Sequence, residues 1–458
     1  MLDDTIAAIS TPLGYSGIGI VRLSGKDSIK ITDRIFVSPK KKTLNQTPSH
    51  RIVYGYIVDS NKEIIDEVLV SVMHAPYTYT KEDVVEINCH GGPVPLRRVL
   101  ELVLKNGARL TEPGEFTRRA FLNGRIDLAQ AEAVLDVINA LTEQSQKAAI
   151  EQLRGGISKK IETTREELVE LTAFVEAYID FPEEDIEPLS IKDMKEMALK
   201  VQQSLKQLID SSRYGVILRE GIRTVIIGRP NVGKSSLLNA FLEHDRAIVT
   251  EVPGTTRDVI EDYLNIQGLP VRIMDTAGIR EVENIAEKEG VKRSLKAMKE
   301  ADLVLVILDG SEDLHETDRE LIEKSSSKNT ILVINKIDIP QKINLNFQKK
   351  VVRVSALKGT GLDELKDEIV ETALKDKTVC GIGDSYRTGI VTNIRHVNAL
   401  KRALASVDSF IEGVTKKTFP EFLSVELRDA LDAIGEIIGI TTSEDILNKI
   451  FSNFCIGK

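Results

Sequence analysis

Tryptophan is absent from this 458-residue chain, aromatic residues make up only 5% of it, and cysteine occurs three times, at Cys89, Cys380 and Cys455. Three distant cysteines supply neither a paired disulfide framework nor a CxxC-type zinc site, so reduced thiols are expected. No apolar run approaches the roughly 18 residues of a membrane span. The start, Met-Leu-Asp-Asp-Thr-Ile, has no basic or apolar leader pattern. A cytosolic chain with no membrane partner is expected. An excess of positive charge is lacking too: the net charge is -9, so contact with a nucleic acid needs a local basic patch. What is present, 42% hydrophobic and 29% charged residues, suits an ordinary globular chain. Its length suggests about three domains of roughly 150 residues each.

From residue 5 to about 90, β-rich runs (Gly19 to Arg22, Arg51 to Val58, Glu67 to Val72, Val84 to Asn88) alternate with Gly, Pro and Asn. A helix from Val94 to Lys105, closed by Asn106-Gly107, completes an α+β domain over residues 1–120. From 121 to 214 the apolar period becomes helical, as in Ile161, Leu168, Leu171, Val175 and Tyr178. The acidic stretch Asp180 to Pro188 reads as a solvated connector. Between 215 and 382, strands and helices alternate as in a mostly parallel α/β sheet: Arg223 to Gly228, a helix from Gly233, then Val271 to Asp275, Leu303 to Asp309, Ile331 to Asn335 and Val351 to Ser355. Helices return over 383–458, at Asn393 to Ile411, Phe422 to Ile438 and Ser443 to Phe454. The economical arrangement pairs these with 121–214 in one discontinuous all-α domain, leaving the α/β unit as an insertion.

Residues 228–236, Gly-Arg-Pro-Asn-Val-Gly-Lys-Ser-Ser, follow a strand and open a helix, the context that a phosphate-binding loop needs. Backbone N–H groups and the helix N-terminus face phosphates, Lys234 adds a point charge on the β/γ oxygens, and Ser235 ligates Mg2+. Asn231, Val232, Gly233 and Ser236 complete the contact set. Asp275-Thr276-Ala277-Gly278 ends an apolar strand, where Asp275 can hold a Mg2+ water and Gly278 can offer its N–H to the γ-phosphate. Asn335-Lys336-Ile337-Asp338 ends another. Asp338 can accept two hydrogen bonds from the guanine N1–H and N2–H2 groups, which adenine cannot supply, so GTP is selected over ATP. Ser355-Ala356 can close the base pocket through backbone N–H groups. The loop Gly254-Thr255-Thr256-Arg257-Asp258 reads as a switch, with Thr256 as a second Mg2+ ligand. Ile279 stands where Ras-like enzymes carry a water-orienting Gln. Asn231 is a candidate ligand for a monovalent cation that could supply charge in the transition state. Glu281, Glu283, Glu287 and Glu289 are open alternatives for the group that positions water.

These motifs in this order, together with the terminus Phe454-Cys-Ile-Gly-Lys458, resemble the MnmE (TrmE) family of tRNA-modification GTPases. So do Thr5-Ile6, Gly17 to Arg22, His90-Gly-Gly-Pro93, Pro113 to Thr117, Arg119 to Asn123 and Asp127 to Glu132, and the resemblance spans the whole chain. It implies a multidomain protein: an amino-terminal folate-binding-like α+β domain that also dimerises, a discontinuous helical domain, and an inserted Ras-like α/β P-loop GTPase domain. It further implies a K+-stimulated GTPase acting with MnmG, a partner that uses FAD and NADH, to place a carboxymethylaminomethyl group on C5 of the wobble uridine, U34, of certain tRNAs. By position, K+ would bind Asn231, Thr250, Val252 and Thr255. Mg2+ would bind Ser235 and Thr256, the GTP contacts would include Glu251, Pro253 and Gly254, and Glu287 becomes the catalytic residue. A 5-formyl- or 5,10-methylene-tetrahydrofolate would meet Arg22, Glu82, Arg125 and Lys458, with Arg125 standing where relatives carry Lys. Cys455 would lie near the modification site. It fits a prenylation signal poorly, since Gly457 and Lys458 follow it. His90-Gly91-Gly92 reads as a turn. The competing function is a ribosome-associated assembly switch, which shares the nucleotide motifs but not the folate-like domain or the tail. A metabolic kinase would leave Asn335 to Asp338 unexplained.

Overall fold

The computed structural model describes residues 4–40, 43–180, 191–245, 262–274, 297–343, 350–374 and 389–458. The chain forms two compact units, Met1–Leu135 with Gly435–Lys458, and Asp136–Ile434.

In the first unit, strands β1 (Ile6–Ile9), β2 (Ser16–Ser24), β3 (Phe36–Val37), β4 (Arg51–Val58), β5 (Ile64–Met73), β6 (Val84–Gly91) and β7 (Arg109–Leu110) make one sheet in the order β3-β4-β5-β6-β2-β1-β7. Only β1 and β7 pair in parallel. Along β5, Val68, Val70 and Val72 are buried while Glu67 and Leu69 are exposed, the period of two that turns one face to the core. Helices Ser28–Ile35 and Pro93–Lys105 cover that face. Pro93 starts its helix at a position that needs no N–H donor, and Asn106 ends it by donating its N–H to the Leu102 carbonyl. The helix begins one residue before the expected Val94. Leu96, Val99 and Val103 form its buried stripe, each contributing about 1.5–3 kcal/mol by leaving water. A charge at Val99 would break this packing. A second core joins Ala120, Ile126, Leu128 and Ala131 to Leu447, Phe451 and Phe454, which docks the helix Glu444–Phe451 into the unit.

In the second unit, β8 (Ile222–Ile227), β9 (Asp262–Ile266), β10 (Leu269–Met274), β11 (Leu303–Asp309), β12 (Asn329–Asn335) and β13 (Val351–Arg353) form a sheet ordered β13-β12-β11-β8-β10-β9. β11 is buried along its whole length, which is why its apolar run is unbroken. All neighbours pair in parallel except β9 and β10. The strand β9 was absent from the sequence reading. It turns back through Gln267 and Gly268, both left-handed (φ 52° and 90°), without the Asn-Gly or Asp-Gly pair that usually marks such a hairpin.

Long helices Gly156–Asp180, Ile191–Glu220 and Ile394–Lys416 supply the all-α part. Ile157, Ile161, Leu168, Leu171 and Val175 make one buried stripe, as the helical period requires. The connector residues 181–190 and the side chain of Tyr178 lie outside the described residues. Asn393 caps the helix Ile394–Lys416 by accepting the Arg395 N–H at 2.9 Å. That helix continues past Ile411 because Val414 is still buried, and left-handed Lys417 (φ 57°) closes it. No helix among the described residues is long and apolar enough to cross a membrane.

Candidate functional site

The nucleotide loop leaves β8, an interior strand, and enters the helix Lys234–Asp245. Asn231 (φ 63°) and Gly233 (φ 98°) are both left-handed, and this curls the backbone between strand and helix. Gly233 is required there, because a Cβ would stand 2.1 Å from the Asn335 Nδ2. The Lys234 Nζ donates to the carbonyls of Gly228 (2.9 Å) and Arg229 (2.8 Å). Burial holds its pKa below the ordinary 10.5, so an anion beside it would favour the charged form and be bound more tightly in return. Val232 is buried, Asn231 and Ser236 are exposed, and Ser235 sits in the first helical turn.

Asn335 is buried and spans two loops. Its Nδ2 donates to the Val232 carbonyl at 2.9 Å, and its Oδ1 accepts the Ala356 N–H at 3.0 Å. The phosphate loop and the loop after β13 are thereby fixed to the end of β12. Lys336 (φ 66°) donates through Nζ to Asp309 Oδ2 at 2.5 Å. Burial alone would raise the Asp309 carboxyl, but bonds from Lys336 and Ser311 hold it below its usual value. The Ser355 hydroxyl donates to Asp338 Oδ1 at 2.6 Å, which presets that carboxylate and keeps its pKa low. One expectation changes here. The Ser355 N–H donates to the Thr360 carbonyl (2.9 Å) and the Ala356 N–H to Asn335, so neither faces a base without exchanging its partner. The Ser355 group that reaches Asp338 is its hydroxyl.

Thr250, Glu251, Val252, Pro253, Gly254, Thr255, Thr256, Asp275, Thr276, Ala277, Gly278 and Glu287, with the alternatives Glu281, Glu283 and Glu289, lie outside the described residues, as does Cys380. Among the described residues no cluster of His, Cys, Asp and Glu could by itself hold a metal ion. The hydroxyl and amide oxygens of Ser235 and Asn231 are nevertheless the hard donor types that Mg2+ and K+ take.

In the first unit, Arg22 and Lys458 come together. The Arg22 Nε donates to Glu86 Oε1 at 2.8 Å, its NH1 donates to the Gly457 carbonyl at 3.3 Å, and its guanidinium lies 5.6 Å from the centre of the Phe116 ring. Gly457 (φ 98°) permits the approach, since a Cβ would be 2.4 Å from the Ile9 carbonyl oxygen. The Lys458 carbonyl accepts the Phe116 N–H at 3.2 Å. Burial, then the nearby Arg22 charge, lowers the Lys458 pKa from its ordinary 10.5, while Glu86 and Cys455 pull it up. Arg22, paired with Glu86, and the partly dehydrated Lys458 together place cationic groups that suit a bound carboxylate. The Arg125 guanidinium lies 4.8 Å from the centre of the Tyr79 ring, and Tyr79 packs on the cluster of Ile6, Ala8 and Phe116. Glu82 joins a separate network, accepting from Ser24 Oγ (2.7 Å) and from buried Arg119 (3.2 Å). Arg119 also holds Asp4 and Glu115.

Sequence reading missed Glu86. It pairs directly across from Arg22 on β2 and β6, a signal visible only once the strand register is known. Cys455 is exposed, whereas Cys89 is buried and its thiol is pushed up to about 12 by burial. His90, the penultimate residue of β6, has its N–H and Nδ1 both on Asp66 (2.8 and 2.6 Å), which raises its pKa. The turn expected at His90-Gly91-Gly92 is not found: His90 and Gly91 continue the strand, Gly91 pairing with Ser16, and only Gly92 separates it from the helix starting at Pro93.

Residues 128–455 match the family described as the MnmE helical domain, and residues 5–125 match the GTP-binding protein TrmE N-terminus. A tRNA modification GTPase MnmE of Alkaliphilus oremlandii is 49% identical over 100% of this chain and 100% of its own. One from Ligilactobacillus salivarius is 48% identical over 99% of this chain and 98% of its own. Among solved structures, the G domain of the T. maritima FeoB iron transporter shares 27% identity, covering 33% of this chain and 98% of that chain, with a TM-score of 0.25.

Proposed function

Because the chain belongs to the MnmE family of tRNA-modification GTPases, we propose that it is a K+-stimulated GTP hydrolase acting on the wobble uridine of tRNA. It works with a flavin- and NADH-dependent partner of the MnmG kind to add a carboxymethylaminomethyl group at C5 of U34. The observation that carries the nucleotide half of this reading is Asn335, which locks the phosphate loop to the base loop.

In the proposed cycle Asp338 reads guanine, and Lys234 leaves its loop carbonyls for the β/γ-phosphates. Glu287 orients the attacking water, with Gly278 on the γ-phosphate and Asp275 steadying the metal's water. Ser235 and Thr256 would hold Mg2+, and Asn231, Thr250, Val252 and Thr255 would hold K+; such ions would supply positive charge beside the phosphates. Residues 1–120 form the homodimer and, joined by Arg125 and Lys458, bind a tetrahydrofolate derivative through Arg22, Glu82, Arg125 and Lys458. Glu82 contributes by fixing Arg119. Residues 121–214 and 383–458 make the helical domain around a G domain of 215–382, and Cys455 is an accessible thiol near the modification site.

Mass spectrometry of wobble nucleosides from cells lacking the protein tests the modification, and an unchanged nucleoside profile would refute it. GTPase rates in K+ and in Na+ test the cation site, since equal rates would remove Asn231 from that role.

A further inference from the structure

Arg229, the second residue of the phosphate loop, is bonded in two directions. Its Nε donates to Asp318 Oδ2 at 2.8 Å, and its terminal NH2 donates to Glu312 Oε2 at 3.2 Å. Its carbonyl accepts from the Lys234 Nζ at 2.8 Å. Asp318 is the third residue of the helix Glu316–Lys324, and its Oδ2 also accepts the His315 N–H at 3.2 Å, so one carboxylate oxygen caps a helix and holds the loop.

The two acidic partners are unequal. The Asp318 side chain is 2% exposed and that of Arg229 is 16% exposed, while that of Glu312 is 52% exposed. A pair out of water is screened little and its geometry is fixed, whereas a half-exposed partner contributes weakly. The bond to Asp318 therefore determines where the Arg229 backbone lies. The segment that carries Asp318 starts at Asp309, which holds Lys336 at 2.5 Å, and the Gly310 N–H donates to the Asn335 carbonyl at 2.9 Å. The guanidinium, neutralised by two carboxylates, does not compete with Lys234 for phosphate.

We infer that Arg229 is a positioning residue for guanine-nucleotide binding: clamped by buried Asp318, it fixes the carbonyl that restrains Lys234 and keeps the phosphate loop in register with the guanine loop. The inference rests on Lys234 being the phosphate-binding cation, so the Lys234→Ala variant is measured alongside.

In the full-length chain, Asp318→Asn and Arg229→Ala should each raise the GTP KM and the release rate of a fluorescent GDP by ~10-fold, with kcat changed less than about 2-fold. Arg229→Lys keeps the charge but loses the planar fork and should fall between, at ~3-fold. Glu312→Gln should stay within about 2-fold. The double variant Arg229→Ala with Asp318→Asn should be no worse than either single, because the two act as one unit. A lowered melting temperature with unchanged KM and GDP release would overturn the inference and leave the pair as a helix brace. So would effects that multiply in the double variant. Should Asp318→Asn fail to fold, Arg229→Lys decides by the same two kinetic readings. If Lys234→Ala keeps its affinity for GTP, the phosphate-loop assignment itself fails. If Lys234→Ala loses affinity and the Arg229 and Asp318 variants do not, only the positioning role fails.

Discussion

The nucleotide site and the Arg22–Lys458 site are built on opposite plans. Around residues 228–236 and 335–338 the work falls to backbone shape: left-handed Asn231, Gly233 and Lys336, and one amide, Asn335, that joins two loops. Around Arg22 the work falls to groups drawn from far apart in the chain, Glu86 on the neighbouring strand and Gly457 and Lys458 in the carboxy-terminal turn. A backbone site is specified by a short run of residues and is intolerant of added bulk. A site of paired charges is specified by register, and its weak points are charge and pH.

The sharpest break should come from Gly233→Val, which meets Asn335 at once. GTP turnover should drop by ~1000-fold in a phosphate-release assay; a mild effect would mean that the loop is not held by Asn335. Next comes Asp338→Asn. With a donor in place of an acceptor it should weaken GTP by ~100-fold and improve xanthosine triphosphate, read by competition against labelled GDP. Arg22→Ala should cost ~10-fold in calorimetric binding of 5-formyltetrahydrofolate, as loss of a charge-assisted contact does. An equal loss of guanine-nucleotide affinity in that variant would erase the distinction between the two sites.

The smallest and most diagnostic effect is acidity. Burial alone would raise Glu115, but hydrogen bonds from Arg109, the Glu112 N–H and Arg119 outweigh it and hold the carboxyl below its ordinary 4.5. Asp4 is lowered from 3.8 in the same way. Folded, these groups resist protonation, so the stability they contribute is complete above about pH 4.5 and drains away as pH falls below it. Hydrogen exchange across that range should loosen the amino-terminal sheet around Glu115 and Asp4. Protection there that does not change down to about pH 3 would count against the charge-built plan.

This contrast explains what was legible in the sequence. The P-loop, Asn335 to Asp338 and the β8, β11 and β12 strands could be read because contiguous residues carry both the fold and the chemistry. The edge strand β9 was hidden by a Gln267–Gly268 turn of unusual composition. The partners Arg22–Glu86 and Arg229–Asp318, 64 and 89 positions apart, follow from sheet register and from helix docking, neither of which leaves a local pattern. Asn335 is legible as the first residue of its motif, while the bonds that make it a joint between loops are not.

The grouping of residues 435–458 with 1–135 also bears on how the protein is made. Leu447, Phe451 and Phe454 complete the core that Ala120, Ile126 and Leu128 begin, yet translation delivers them about 300 residues later. At roughly 5–20 residues per second that is a wait of ~15–60 s, during which the apolar face of the helix Glu115–Leu122 stands uncovered. The unit synthesised first is therefore completed last, after the nucleotide-binding sheet has had time to form.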